Sequence, residues 1–137
     1  MVDFMALDRP VLFADFESDT AIGSQTFEIS EEMFTLWTSL FPDDAACRPF
    51  IPPGMFAMIV MRGYMSVIPN RPPGNIHAEQ TADLVRLPRI GETVTTTFRC
   101  DRAEERVGRK WVYLVSVTKD GAGEPLFNGR MTTIWAE

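Results

Sequence analysis

The 137-residue sequence predicts an α+β fold, a curved antiparallel sheet wrapped around one long helix. Three observations carry that expectation. The stretch "FIPPGMFAMIVMRGYMSVIP" (50–69) is apolar nearly all round, so its helix has to be covered on most sides. After Asn75 the pattern changes from helical to alternating and stays so to the C-terminus. The alternating segments are separated by turn sequences such as "KDGAGE", which suit antiparallel neighbours.

Each element follows in chain order. The first ten residues read as an arm, and "GSQTFEIS" (23–30) alternates enough for a short strand. Ser30 can cap a helix over "EEMFTLWTSLF", with Glu31 and Glu32 at the positive end of its dipole. Met33, Trp37 and Leu40, or Leu36 and Leu40, recur at helical spacing and predict a buried face. Pro42 stops this helix, and "PDDAACRPFIPP" is a loop into the central helix, about residues 53–68. "PNRPPGN" ends the central helix with three prolines.

In "IHAEQTADLVRL", Ile76, Ala78, Ala82 and Leu84 fall on one face, with His77, Glu79, Thr81 and Asp83 on the other. That is the pattern of a half-buried strand. "TVTTTFRC" places Val94, Thr96 and Phe98 on one side of the next strand. "KWVYLVSVT" is apolar on both faces and belongs in the middle of a sheet. "PLFNGRMTTIWA" is the last strand, with Phe127, Met131 and Trp135 together. One domain spanning 1–137 is expected. A helix laid on one face of a flat sheet would leave Met55, Phe56, Ile59, Val60 and Tyr64 wet. Wrapping the sheet around the helix, the hotdog arrangement, avoids this. Two such units pairing side by side would also bury an edge strand, so a homodimer or higher homo-oligomer is expected.

Composition narrows the function. The net charge of −6 argues against a nucleic-acid surface, which usually carries a basic excess. The apolar helix is too short to span a bilayer comfortably, and Arg62, Gly63 and Ser66 interrupt it, so a membrane role is not expected. Two cysteines, Cys47 and Cys100, are too few for a disulfide framework and fit a reducing cytoplasm as buried thiols. The acidic N-terminus, "MVDFMALDRP", is unlike a signal peptide.

From "RPFIPPGMFAMIV" through "VRLPRIGETV" to the C-terminus, the sequence resembles the MaoC-like family of hotdog dehydratases and (R)-specific enoyl-CoA hydratases. The markers are Gly54-Met55 opening the central helix, "LPRIGETV", and the "KDGAGEPLFNGR" hairpin. The resemblance implies a dimer that takes acyl thioesters of coenzyme A or a carrier protein, with the acyl chain beside the central helix and no cofactor. Active members pair an Asp with a His five residues later in the loop before that helix, as general base and acid. Here the loop offers Asp43 and Asp44, with Arg48 or Pro49 at the matching spacing, and Pro53-Gly54 stands where His-Gly is common. A fainter similarity links "FPDD…PPGM" to β-hydroxyacyl-carrier-protein dehydratases, but Leu40 and Ile59 stand where their His and acid would be.

The candidate site residues follow from chemistry. Gly54, Met55 and Phe56 are expected to offer the first free amides of the central helix, because Pro52 and Pro53 have none. Amides at a helix start polarise a thioester carbonyl and stabilise the enolate formed from it. Met58 is expected beside the acyl chain. Asp43 or Asp44 is the candidate general base, against the reading that Pro-Asp-Asp is only a solvated turn. His77, the one histidine, falls on a wet strand face after the far end of the helix, where a surface role outweighs catalysis. His77 and Glu79 supply only two ligands, short of a metal site. Arg99, Arg102 and Arg109 are candidates for coenzyme A phosphates, although interleaved acids equally predict cross-strand pairs.

Three functions fit. The first is a hydratase or dehydratase of enoyl or (3R)-hydroxyacyl thioesters. The second is a non-catalytic binder, or a subunit paired with a catalytic hotdog homologue. The third is a thioesterase using a loop Asp, since the central helix itself has no acid.

Overall fold

The computed structural model describes residues 3–137. Five antiparallel strands form one sheet: β1 (Thr20–Glu28), β2 (Ile76–Leu84), β3 (Thr93–Arg106), β4 (Arg109–Lys119) and β5 (Pro125–Trp135). Their spatial order is β1-β3-β4-β5-β2, so β4 lies at the centre as its two apolar faces predict. Helix α1 (Glu31–Leu40) follows β1, and the central helix α2 (Met55–Val67) lies within two residues of its expected bounds at each end.

Alternation explains the inner face of the sheet. Val94, Thr96, Phe98 and Cys100 on β3 are buried, with Val112, Leu114, Ser116 and Thr118 on β4 and Phe127, Met131 and Trp135 on β5. Helix α2 buries Met55, Ile59, Val60, Gly63, Tyr64 and Val67 against that face. The approach is closest at Gly63, where a Cβ would stand 2.8 Å from Cε2 of Phe98. Burial in the apolar interior pushes the Cys100 thiol up to about 11. Cys47, expected to be buried as well, is only half-buried.

Three expectations need correction. The N-terminal segment is no arm, although Met1 and Val2 lie outside the described residues. Phe4, Val11 and Phe16 are buried, the Trp135 indole donates to the Val11 carbonyl at 2.7 Å, and Phe16 packs edge-on against Trp135. Helix α1 buries Phe34 alone, with Met33 and Trp37 half-buried, while Leu36 and Leu40 are 69% and 71% exposed. Strand β2 is not half-buried: its register against β5 shifts between His77 and Glu79, and Ile76 and Leu84 are both exposed. The shift reverses the parity of Ile76 and His77, while Leu84, opposite the buried Phe127, is exposed because β2 has no neighbour on its outer edge. No helix among the described residues is long and apolar enough to cross a membrane.

Candidate functional site

The start of α2 is built by three local devices. The Ser30 hydroxyl accepts from the Met33 N–H at 3.2 Å and fixes the start of α1. From there α1 carries Trp37 toward the first turn of α2. Its indole packs on Gly54, where an added Cβ would lie 3.3 Å from Cζ2. The chain then turns through a short 3-10 helix, Pro42–Cys47, which brings Asp43 and Asp44 back alongside α1. The Trp37 Nε1–H donates to Asp44 Oδ2 at 2.8 Å. One aromatic side chain therefore touches both the loop acid and the helix start.

Arg48 completes the frame. Its guanidinium makes paired hydrogen bonds to Glu31 at 3.0 and 2.8 Å and lies 4.6 Å from the Phe34 ring centroid. It anchors the loop to the first turn of α1 and so takes no part in an acid–base pair with Asp44. Paired hydrogen bonding to the guanidinium holds the Glu31 carboxyl below its ordinary value.

The amide donors differ from expectation. The Met55 and Phe56 N–H groups are already used, donating to the carbonyls of Pro52 at 3.0 Å and Pro53 at 3.3 Å. Two prolines remove donors from the loop, but their carbonyls remain as acceptors and close the first turn. Gly54 N–H donates to no backbone acceptor among the described residues. The side chains also diverge: Met55 is fully buried, and Phe56 points to Phe127 with ring centroids 5.9 Å apart. Met58 faces outward into a groove of 580 Å³ between α1 and α2, walled by Met33, Leu36, Trp37 and Leu40 with Arg62 at its side.

Comparison with known proteins bears on this geometry. No family model matches the sequence, and no curated protein matches it either. Solved structures do match. The unliganded R-hydratase PhaJ1 from Pseudomonas aeruginosa superposes with a TM-score of 0.74 at 16% identity, covering 93% of this chain and 87% of its own. A MaoC-like dehydratase from Rhodospirillum rubrum gives 0.72 at 14% identity, covering 93% and 98%. The HadBC (3R-hydroxyacyl-ACP dehydratase) complex from Mycobacterium tuberculosis gives 0.68 at 11% identity, covering 86% and 98%.

The chain has the hotdog fold.

Within the hotdog frame the remaining candidates fall away from the helix start. His77 is exposed and lines a separate hollow of 240 Å³ with Met61, Tyr64, Arg71 and Asn75, beside the C-terminal half of α2. Asp43 is exposed, and no hydrogen bond ties its side chain to another described residue. Arg99 bonds Asp19, while Arg102 stacks 4.5 Å from the Tyr113 ring centroid and sits 3.6 Å from Glu104. Arg109 is exposed at the β3–β4 turn, opposite Arg106. Arg99 is thus held by an acid just before β1 and Arg102 by one on its own strand, and the cross-strand contact among them is the Arg102–Tyr113 stack.

Sequence reasoning missed Trp37 as a site residue. The available signal was its place one turn before "FPDD", on the helix face that also carries Met33 and Leu40.

Proposed function

We propose that this hotdog protein binds an acyl thioester of coenzyme A or a carrier protein at the first turn of α2 and acts on it as a hydratase or dehydratase. The single observation behind this reading is Trp37, which holds Asp44 by its N–H and lies against Gly54. The thioester carbonyl is assigned to the Gly54 N–H, where the helix dipole also favours developing negative charge. Asp44, rather than Asp43, is the general base.

In the dehydration direction, ionised Asp44 takes the α-proton, and the C–H electron pair moves into an enolate stabilised at Gly54. The enolate collapses to the carbon–carbon double bond and expels the β-hydroxyl. Asp44 returns its proton to that oxygen, which leaves as water. Hydration runs through the same steps in reverse, so one carboxyl serves as base and then acid.

A second reading is that the chain is a non-catalytic subunit paired with a catalytic homologue. The position of His77 favours it: the one histidine of the chain lines a hollow with Met61 and Tyr64 in the C-terminal half of α2, whereas Asp44 is tied by Trp37 to its first turn. The unpaired edge of β2, open on both faces, is the surface we assign to assembly with a second hotdog chain, identical or homologous. The thioesterase alternative would use the same Asp44 to activate water.

The test is hydration of crotonyl-CoA by wild type, Asp44→Asn and Asp43→Asn. Activity lost by about 10²–10⁴-fold in Asp44→Asn and kept in Asp43→Asn supports the assignment. No turnover, with crotonyl-CoA still raising the melting temperature, supports the binding subunit. Release of free coenzyme A in place of hydration identifies the thioesterase.

A further inference from the structure

Gly54, Met58 and Arg62 recur every four residues and share one face of α2. Eight residues separate Gly54 from Arg62, which is about 12 Å along the helix axis. Met58 and Arg62 line the apolar groove, whose walls include Trp37 and Leu40, and Trp37 also packs on Gly54. At its side Arg62 is exposed, with its guanidinium 5.0 Å from the Phe27 ring centroid. Arg62 makes no ion pair among the described residues. Glu32 also lines the groove but is not in ion-pair contact with Arg62, and it sits in the first turn of α1, where the helix dipole favours its charge.

From these features we infer that the groove selects acyl chains that end in a carboxylate, the half-thioesters of dicarboxylic acids. An apolar channel flanked by a guanidinium in no ion pair, on a residue about 12 Å along the helix axis from Gly54, complements a chain that is apolar along its length and anionic at its end. A fully extended chain advances about 1.2 Å per bond, so about ten bonds span that distance. A plain alkyl end would leave the guanidinium to water and the Phe27 ring, whereas a terminal carboxylate accepts a charge-assisted hydrogen bond from it. This inference rests on the reading of Gly54 as the thioester site.

The experiment compares decanoyl-CoA with the mono-CoA thioester of decanedioic acid by titration calorimetry, on wild type and on Arg62→Leu. Arg62 is exposed on a helix, so its replacement leaves the core intact. The expected result is about tenfold tighter binding of the dicarboxylic thioester by wild type, with the preference lost or reversed in Arg62→Leu. Equal or weaker binding of the dicarboxylic thioester by wild type, or a preference that survives in Arg62→Leu, overturns the inference while leaving the thioester site standing. Binding of neither thioester overturns both.

Discussion

The indole N–H of Trp37 donates to the carboxylate of Asp44 at 2.8 Å, while the same ring closes over Gly54. The two contacts use different parts of one side chain, so they can be separated. Trp37→Phe keeps an aromatic ring above Gly54 and removes the N–H. The expected outcome is a lower kcat for crotonyl-CoA with little change in KM, because the carboxylate loses its orientation while the apolar wall remains. Trp37→Ala should raise KM as well, since the wall goes too. Steady-state kinetics on the two variants distinguishes them. Equal effects on KM would mean that Trp37 acts only through packing.

Gly63 marks the closest approach of α2 to the sheet. A methyl there meets the Phe98 ring at 2.8 Å, and Phe98 is itself buried among inner-face side chains. Helix propensity alone would make Gly63→Ala stabilising by about 1 kcal/mol. Overpacking costs about 1–3 kcal/mol and outweighs it. Urea denaturation of Gly63→Ala should therefore show a lower midpoint than wild type. Adding Phe98→Leu, which makes room for the methyl, should recover part of the loss.

Thr96 and Thr118 face one another on β3 and β4, both fully buried, with hydroxyls 2.8 Å apart. Each hydroxyl satisfies the other on the buried inner face of the sheet. Thr96→Val or Thr118→Val alone leaves one buried hydroxyl without its partner and should cost about 1–3 kcal/mol. The double replacement removes both groups at nearly constant shape and should be less destabilising than the two single effects added. A double-mutant cycle by chemical denaturation measures that coupling.

The fold was legible because most of its elements declare themselves locally. Ser30 before two glutamates announces the start of α1, and the two-faced apolar run of β4 announces a central strand. The N-terminal segment was misread because its partners, Trp135 and Asn70, lie far away in sequence. Strand β2 departs from its alternation because a register shift between His77 and Glu79 turns Ile76 and His77 over and its edge position leaves Leu84 uncovered, and nothing in alternation marks either. At the site, the spacing of Asp43 and Asp44 could not separate them. What separates them is the direction of an indole seven residues earlier. The spent Met55 and Phe56 amides were equally hidden, since two prolines suggest missing donors and say little of their acceptors.

The turns "LPRIGE" and "KDGAGE", distant in sequence, are joined through Arg86. Its guanidinium donates to Glu92 at 2.9 Å and to Asp120 at 2.6 Å. Hydrogen bonding to Arg86 is the main cause that holds both carboxyls below their ordinary values of 4.5 and 3.8. A carboxyl whose folded pKa is depressed contributes stability that is complete above its unfolded pKa. That contribution is lost as the pH falls through the folded pKa. The urea midpoint of wild type should therefore fall on acidification from about pH 5 downward. Arg86→Ala should be less stable than wild type at neutral pH, and its acid limb should be shallower, so the two curves converge toward low pH. Because Arg86 is partly exposed, raising the salt concentration should narrow the neutral-pH difference. Parallel curves at all pH values would show that the two turns are held by packing and not by this ion pair.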